Sequence, residues 1–187
     1  ITKAGQQLSL EQVALATEVA KDADVTHIHA MWIPSNPQMA KACDSVGTPW
    51  VLSTHGMLDD WCMQQRGAKK KLYLSTAGRI LLRGATTFLT TAEEERRQSS
   101  KWLKHDNIAV IPCIVCLEPY KNVPDQKEAV EEYGKSDNPT VLFLSRVHEK
   151  KSIETLIDAA ALLKQRGSPI RLLIAGTGEE TYIQTLK

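Results

Sequence analysis

Short apolar runs of strand length alternate with segments of helical periodicity along the whole chain. The clearest unit is the apolar run Val141–Leu144, which predicts a fully buried parallel strand and is followed by helical spacing from Ile153 onward. The same pattern predicts further strands at residues 25–29, 50–54, 86–90, 108–112 and 170–175. It predicts helices at residues 10–21, 37–46, 58–65, 69–83, 91–104, 126–133 and 152–166, with a last helix from residue 179. Because strands and helices alternate, we expect parallel sheets with helices on both faces, an α/β fold.

Several of these helices begin with a capping signal. Ser9 and Gln12 have the spacing of a capping box, in which each side chain bonds a backbone N–H of the other residue. Thr91 and Glu94 repeat that spacing at the start of the fifth predicted helix. Asn36 precedes a proline, so it can cap the second predicted helix.

One linker signal divides the chain. The Gly-, Asn- and Pro-containing segment 134–139 separates a first α/β unit, residues 1–136, from a second, residues 137–187. The first unit opens on a helix without a leading strand. The second has two strands and two helices before the chain stops within a helix, and about 50 residues cover a parallel sheet poorly. We therefore expect a fragment that lacks the first strand and part of the second unit.

Composition excludes several function classes. The 187 residues are 42% hydrophobic and carry a net charge of +1, so no overall field favours nucleic acid. No apolar run approaches the roughly 20 residues that a membrane span requires. Four cysteines do not make a disulfide scaffold at this length, which indicates a cytoplasmic protein with reduced thiols.

Two cations lie where a parallel sheet binds its ligands. Arg146 follows the predicted strand at residues 140–145, and Lys151 directly precedes a predicted helix. Ligands bind at the carboxyl edge of open α/β sheets, and a helix N-terminus offers free N–H groups to anions. These two residues therefore suit a diphosphate; the alternative is that they are solvated loop charges.

Histidines follow or lie on two of the predicted strands of the first unit. His55 leaves the carboxyl end of the strand at residues 50–54, and Gly56 permits a close backbone approach; a hydrogen-bonded turn histidine is the alternative. His27 and His29 alternate on one strand and share a face. They could bind a metal, but no third ligand has suitable spacing, so we expect a structural role for at least His27.

Five ordered motifs resemble the group-1 (family 4) glycosyltransferases of the GT-B class and cover nearly the whole chain. The first is Phe143-Leu-Ser-Arg-Val-His-Glu-Lys-Lys-Ser-Ile-Glu-Thr-Leu-Ile157, which is similar to the family pattern F-L-G-R-L-H-P-K-K-G-I-E-x-L-I. The family pattern P-x-V-x-S-x-H-G-M-L is similar to residues 49–58, and D-V-V-H-I-H-G-L-W is similar to residues 24–32. The pattern T-S-x-A-E is similar to residues 90–94, and the family's later strand and Gly turn resemble residues 172–178.

The resemblance implies a fold, a reaction and a set of site residues. It implies two Rossmann-like domains with the active site in the cleft between them, an acceptor-side domain at residues 1–136 and the start of a nucleotide-sugar domain at 137–187. The implied reaction moves a hexose with retention from a UDP- or GDP-sugar to a glycan or lipid-linked acceptor, as in polysaccharide synthesis. The catalytic residues would be His55, Arg146 and Lys151; the donor would contact Gly56, Arg146, Lys151 and Ser152; the acceptor side would include His29 and Trp32.

We expect no cofactor or metal, because Asp59 and Asp60 are adjacent and do not form an Asp-x-Asp motif, and the cations Arg146 and Lys151 could replace a metal. Two alternatives stay open. The chain could be a catalytically incomplete fragment or non-catalytic nucleotide-binding protein, or a GT-B sugar-nucleotide epimerase.

The chain departs from the family pattern in two places. Ser152 replaces a glycine, and we expect its side chain to cap the helix that begins at Ile153. Cys113 and Cys116 stand where the family has I-P-N-G-V-D-L; apolar packing or a reversible disulfide explains them better than half a zinc site.

Two further features, a pair of glycines and a basic helix, each have a structural explanation that is simpler than the functional one. Gly176 and Gly178 lack the third glycine of a dinucleotide fingerprint and predict a tight strand-to-helix turn. The helix around residues 66–83 is rich in basic residues. They are more simply explained as an ordinary solvated helix face than as a site of peripheral contact with the inner face of a membrane.

Overall fold

A computed structural model describes residues 6–103, 106–123 and 125–187. The chain forms two compact units, residues 1–115 and residues 116–187. The sequence pattern places the division later, between residues 136 and 137. Residues 116–136 fall in the second unit, where Arg171 donates hydrogen bonds to the carbonyl oxygens of Tyr133 and Gly134. The assignment of residues 1–136 and 137–187 to two functional domains stays a prediction.

The first unit is built on a parallel sheet. Its strands lie in the order β1-β2-β3-β4 among the described residues, and every neighbouring pair is parallel. Their bounds are β1, Thr26–His29; β2, Trp50–Ser53; β3, Thr87–Thr90; and β4, Ile108–Val110. The predicted α/β class with parallel sheets is confirmed.

Helices follow or precede these strands as the alternation predicts. They are α1, Leu10–Lys21; α2, Asn36–Val46; α3, Asp60–Gln64; α4, Gly67–Ser75; and α5, Glu93–Ser99. The capping box at α1 is confirmed, because Ser9 accepts from the Gln12 N–H and the Gln12 side chain accepts from the Ser9 N–H. The core of this unit centres on Trp50, Leu52 and Phe88, which are fully buried.

Two helix predictions in this unit were wrong in detail. Asn36 is not the cap of α2: Ser35 precedes the helix, and the Asn36 side chain donates to the carbonyl oxygens of His29 and Ala30. The helix expected at residues 69–83 is interrupted at Thr76 and continues as the 3₁₀ helix Ala77–Leu82. A Cβ at Gly78 would lie 2.4 Å from the Tyr73 ring, so a larger residue there would displace that ring.

The capping box expected at Thr91 and Glu94 does not form. Helix α5 begins at Glu93, its N-cap Ala92 provides no side-chain bond, and Glu94 pairs with Arg97 on the exposed face. The helix ends at Ser99, whereas the prediction extended it to Lys104, which lies outside the described residues.

The second unit contains a smaller parallel pair of strands. Strand β5, Thr140–Leu144, pairs in parallel with β6, Arg171–Ala175. The helices of this unit are α6, Gln126–Tyr133; α7, Ile153–Gln165; and α8, Glu180–Thr185, with short 3₁₀ helices at Glu118–Tyr120 and Glu149–Lys151.

The expectation that Val141–Leu144 is fully buried was wrong. Val141, Leu142 and Leu144 are 38%, 56% and 76% exposed. Side chains of a strand point to the two faces of its sheet, and within the described residues α7 packs mainly on β6, so the apolar side chains of β5 remain largely uncovered. Among the described residues, no helix is long and apolar enough to cross a membrane.

Candidate active site

The carboxyl ends of β1 and β2 bring two of the predicted site residues together. In the parallel register His29 lies opposite Ser53, and the chain then turns so that His55 comes beside His29. His29 Nδ1 lies 2.9 Å from His55 Nε2, and the two rings are stacked with their centroids 5.2 Å apart. The sequence pattern did not reveal this pair of histidines, because their contact depends on the register between β1 and β2. In that register Thr26 lies opposite Trp50, 24 residues later in the chain.

His27 extends the same row of imidazoles. Its ring stacks on His29 at 4.0 Å, and its Nε2 lies 2.8 Å from the Ser53 hydroxyl oxygen. Burial and the neighbouring His29 and His55 rings lower the pKa of His27, so it is neutral around pH 7. This neutral, hydrogen-bonded side chain fits the structural role that we expected for it. Within the described residues, no group of three or more His, Cys, Asp or Glu side chains could hold a metal ion.

The backbone at His55 and Gly56 adopts an unusual turn. Both residues have positive φ, 50° and 68° respectively. Glycine takes this conformation without strain, whereas histidine does not, so surrounding contacts must hold the turn in place. The turn projects His55 from the sheet edge, and its side chain is exposed.

Those contacts come from Glu95, a residue that the sequence pattern did not single out. Its Oε1 accepts hydrogen bonds of 2.6 Å from the Thr54 hydroxyl and from the Gly56 N–H. Its Oε2 accepts from the Thr91 N–H at 2.8 Å and from the Thr91 hydroxyl at 2.7 Å. Four donors on one buried carboxylate therefore fasten the His55 turn to the start of α5.

The charge state of Glu95 follows from two opposing effects. Burial, with 8% of the residue exposed, favours the neutral acid. The hydrogen bonds from Thr54, Gly56 and Thr91 favour the carboxylate and outweigh burial, so the pKa of Glu95 is lowered. Glu95 is consequently ionised at neutral pH and acts as a fixed acceptor behind the turn.

Trp32, which the resemblance places on the acceptor side, packs against helix α4. Its ring lies 5.7 Å from the Tyr73 ring of α4, and the Lys70 ammonium lies 5.1 Å from the Trp32 ring centroid. A cation over an indole face is attracted by the ring quadrupole. Trp32 is therefore part of an aromatic and cationic surface formed with the start of α4.

In the second unit Arg146 and Lys151 lie on the loop that links β5 to α7. The loop is anchored at both ends by buried residues, because Val147 is 6% exposed and Ile153 is fully buried. Arg146 and Lys151 are exposed, and within the described residues neither forms an ion pair. Their backbone is thus held by apolar packing while their charges stay available.

Glycines explain how this loop is held against β6. A Cβ at Gly176 would lie 1.7 Å from the Ser145 carbonyl oxygen, and one at Gly178 would lie 2.0 Å from the Val147 carbonyl oxygen. The Val147 N–H donates to the Thr177 carbonyl oxygen at 2.8 Å. The Gly176-Thr-Gly178 segment continues the parallel pairing past β6, with a bridge between Val147 and Gly178, so the tight turn predicted there does not form. Its glycines permit backbone-to-backbone contact with the loop that carries Arg146.

Ser152 does not cap α7. It has φ 49° and ψ 48°, in the left-handed region, and its side chain makes no capping hydrogen bond. The expectation of a serine cap was wrong because a cap of that kind needs extended backbone at the serine. The position has the conformation that glycine favours, which accounts for the glycine in the similar family pattern.

Cys113 and Cys116 are both exposed free thiols. Apolar packing, one of the two explanations that the sequence favoured, is therefore excluded for them.

Comparison with known proteins identifies the family of these units. The family profile of the glycosyl transferase 4-like domain matches residues 5–113, and the profile of glycosyl transferases group 1 matches residues 125–187. An alpha-D-kanosaminyltransferase of Streptomyces kanamyceticus is 43% identical over 51 residues, 27% of this chain and 13% of that protein.

A solved structure shares the fold. A sucrose-phosphate synthase from Thermosynechococcus elongatus is similar with a TM-score of 0.60 at 19% sequence identity, and the match covers 91% of this chain and 43% of that chain. The chain therefore spans less than half the length of each of these two proteins.

Proposed function

The chain belongs to the group-1 glycosyltransferases with the GT-B fold, and from this premise we propose that it transfers a hexose from a nucleotide-sugar donor to a glycan or lipid-linked acceptor with retention of configuration. The proposed donor is a UDP- or GDP-sugar. The observation that carries the proposal is the anchored, cationic loop with Arg146 and Lys151 at the carboxyl edge of β5.

The chemistry of sugar transfer requires such a loop. When the bond between the sugar and the diphosphate breaks, the departing diphosphate gains negative charge, and fixed cations at that charge lower the barrier. The planar Arg146 guanidinium can bind two phosphate oxygens at once, and Lys151 supplies a second point charge. In this proposal two cations take the place of a divalent metal, so neither a metal nor a cofactor is required.

The first unit supplies the groups proposed for the sugar. We assign His55 to a hydroxyl of the donor sugar or to the positive charge that develops on its ring, with the Gly56 backbone beside it. His29 stands behind His55 and orients it. The Glu95 carboxylate keeps the whole turn in place through the Gly56 N–H, at 2.6 Å.

Calorimetric titration of the 187-residue chain with UDP, GDP and inorganic pyrophosphate tests the donor site. We expect UDP or GDP to bind more tightly than pyrophosphate, and Arg146→Ala to weaken that binding about tenfold or more, which corresponds to about 1.4 kcal/mol. The matched control is Arg166→Ala, which removes an exposed cation of the same unit at the other end of α7. Equal weak binding of all three ligands, unchanged in Arg146→Ala, would overturn the donor site.

A second assay separates transfer from binding without turnover. The chain is incubated with a radiolabelled UDP- or GDP-hexose and acceptor glycans, and the release of nucleotide and the labelled product are measured together. Labelled product establishes transfer. Tight nucleotide binding that depends on Arg146, without product, would instead support the hypothesis of a non-catalytic nucleotide-binding protein. Conversion of the donor to an isomeric nucleotide-sugar would support the hypothesis of an epimerase.

A further inference from the structure

The segment in which the first unit passes into the second carries a Cys-x-x-Cys pair that the proposed transfer reaction does not use. Cys113 is among the last residues of the first unit, which ends at Val115, and Cys116 is the first residue of the second. Both side chains are exposed and both thiols are free. The pair is therefore accessible to reagents in solution.

The backbone around these two cysteines belongs to no helix or strand. The segment lies between β4, which ends at Val110, and the short 3₁₀ helix that begins at Glu118. Within the part of the chain that the structure describes, the N–H groups of residues 113–116 donate no backbone hydrogen bond. A bend of the segment at these residues therefore breaks no described backbone hydrogen bond donated from them.

The two residues between the cysteines make no contribution to the core. Ile114 is 98% exposed and Val115 is 62% exposed. Neither belongs to the buried cluster of the first unit or to the side chains that pack against it. A bend at Ile114 and Val115 therefore disrupts no apolar packing.

Metal binding does not explain the pair. A structural zinc site has four protein ligands, and Cys113 and Cys116 would supply two of them. Among the described residues, no group of three or more His, Cys, Asp or Glu side chains could hold a metal ion. The exposed pair is better explained by the redox chemistry of its own thiols.

We propose that Cys113 and Cys116 are a thiol–disulfide exchange site, which glutathione disulfide oxidises to an intramolecular disulfide. One protein thiolate attacks a sulfur of glutathione disulfide, forms a mixed disulfide and releases one glutathione thiolate. The other protein thiolate attacks the cysteine sulfur of the mixed disulfide and releases the second. Two electrons pass from the protein to glutathione, and the two thiol protons go through solvent to the two released thiolates.

The residues between the cysteines make this disulfide easy to reduce. The bond brings the two Cα atoms to about 4.4–6.8 Å, which requires residues 113–116 to form a tight turn. Ile114 and Val115 are β-branched and lack the turn preference of glycine, proline or asparagine. Strained or exposed disulfides are reduced more readily than buried structural ones. The bond is therefore reversible, and it switches the segment between an open and a turned form.

The test equilibrates the 187-residue chain with reduced and oxidised glutathione at a series of ratios. Remaining thiols are blocked with N-ethylmaleimide in denaturant, and the intact mass is measured. Of the four cysteines, we expect two to escape blocking without bound glutathione, and proteolysis to locate the bond between Cys113 and Cys116. The oxidised fraction should be the same whether the starting chain is reduced or oxidised. A chain that keeps all its thiols, or that ends as a stable glutathione adduct or a disulfide-linked dimer, would overturn the proposal.

Single variants show which thiols form the bond. Cys113→Ser and Cys116→Ser should each abolish the intramolecular disulfide, because the remaining thiol can form only a mixed disulfide. Cys62→Ser is the matched control, since it removes a half-buried thiol of α3 outside the pair and should leave the oxidised fraction unchanged. An intramolecular disulfide that persists in Cys113→Ser would refute the assignment.

A turn-forming variant tests why the bond is labile. Proline and glycine at the two central positions favour a tight turn, so Ile114→Pro with Val115→Gly should raise the ratio of disulfide to dithiol about fivefold or more at a fixed glutathione ratio. The control Val123→Gly replaces another exposed valine outside the pair, and the ratio should not change. An equal ratio in the Pro-Gly variant and the wild-type chain would contradict the proposed role of the turn.

Backbone ¹⁵N relaxation measures the consequence for the segment. We expect the order of the Ile114 and Val115 amides to rise when the wild-type chain is oxidised and to stay unchanged in Cys116→Ser under the same conditions. Equal order in the two redox states would overturn the switch. None of these measurements uses a nucleotide or a sugar. The proposal is thus independent of the proposed function, and loss of UDP or GDP binding would bear on the donor site alone.

Discussion

His29 Nδ1 lies 2.9 Å from His55 Nε2, although 26 residues separate them in sequence. One nitrogen of this hydrogen bond must carry the proton and the other must accept it. The tautomer of His29 therefore determines which nitrogen of His55 is protonated. The parallel pairing of β1 and β2 makes this relationship possible, because it places both histidines at the same edge.

Replacing His29 should change the tautomer of His55 without unfolding the first unit. In His29→Phe the His55 Nε2 loses its partner, so we expect the ¹⁵N shifts of the His55 ring to move toward a mixture of tautomers. The replacement keeps a flat ring in the stack with His27. His27→Phe is the control, since His27 stacks on His29 and bonds Ser53 but does not bond His55. Unchanged His55 shifts in His29→Phe would contradict the orienting role.

Glu95→Gln should destabilise the first unit by about 2 kcal/mol, because an amide group has to face donors that a carboxylate accepts. Oε1 and Oε2 of Glu95 each accept from one hydroxyl and one backbone N–H. A hydroxyl can rotate to accept from a glutamine NH₂, but the backbone N–H cannot, so the NH₂ faces a donor whichever way it points. Urea unfolding followed by tryptophan fluorescence measures the loss. The control is Glu94→Gln, which affects only exposed contacts with Arg97 and Gln98.

The same residue predicts a pH dependence. The pKa of Glu95 is lowered in the folded chain, so its stabilising contribution is present above the pKa of the unfolded chain. It is lost as the pH falls below about 4.3 and through the folded value. We therefore expect the stability difference between the wild-type chain and Glu95→Gln to shrink in that acid range. A difference that stays constant down to pH 2 would show that the charge of Glu95 does not contribute.

These residues show which parts of the fold and the candidate site can be predicted from the sequence. The strand–helix alternation predicts the order of the elements, and the ends of parallel strands predict that His55 and Arg146 lie at sheet edges. The sequence cannot choose between Glu93, Glu94 and Glu95, because they are chemically alike. The choice depends on where α5 begins, and the helix begins one residue later than the Thr91 capping signal implied.

Ser152 shows a second limit. Serine before a helix usually signals a cap, and the only sign of a left-handed backbone in the sequence is the glycine that the similar family pattern has at this position. The turn between Lys151 and Ile153 shows that conformation directly, with φ 49° at Ser152.

Ser152→Gly should stabilise the second unit. A left-handed residue with a Cβ costs about 1–2 kcal/mol, and the greater freedom of glycine in the unfolded chain returns about 0.5–1 kcal/mol of that. The expected net gain is about 0.5–1 kcal/mol, measured by native-state amide hydrogen exchange in α7 and β6. Ser152→Ala is the control and should change little, since the hydroxyl makes no capping bond. Slower exchange in Ser152→Ala than in Ser152→Gly would refute this explanation.

Gly176 and Gly178 should tolerate no side chain, because each would bring a Cβ within 2.0 Å of a backbone oxygen of the loop that carries Arg146. We expect alanine at either position to destabilise the second unit by about 2–4 kcal/mol. The control Gly167→Ala places a Cβ in open space but at φ +77°, so it should cost only about 1 kcal/mol. Exchange of the Ser145 and Val147 amides, which bond Ala175 and Thr177, reports the local effect. If displacement of this loop is what matters, nucleotide affinity should fall in the Gly176 and Gly178 variants and remain unchanged in Gly167→Ala.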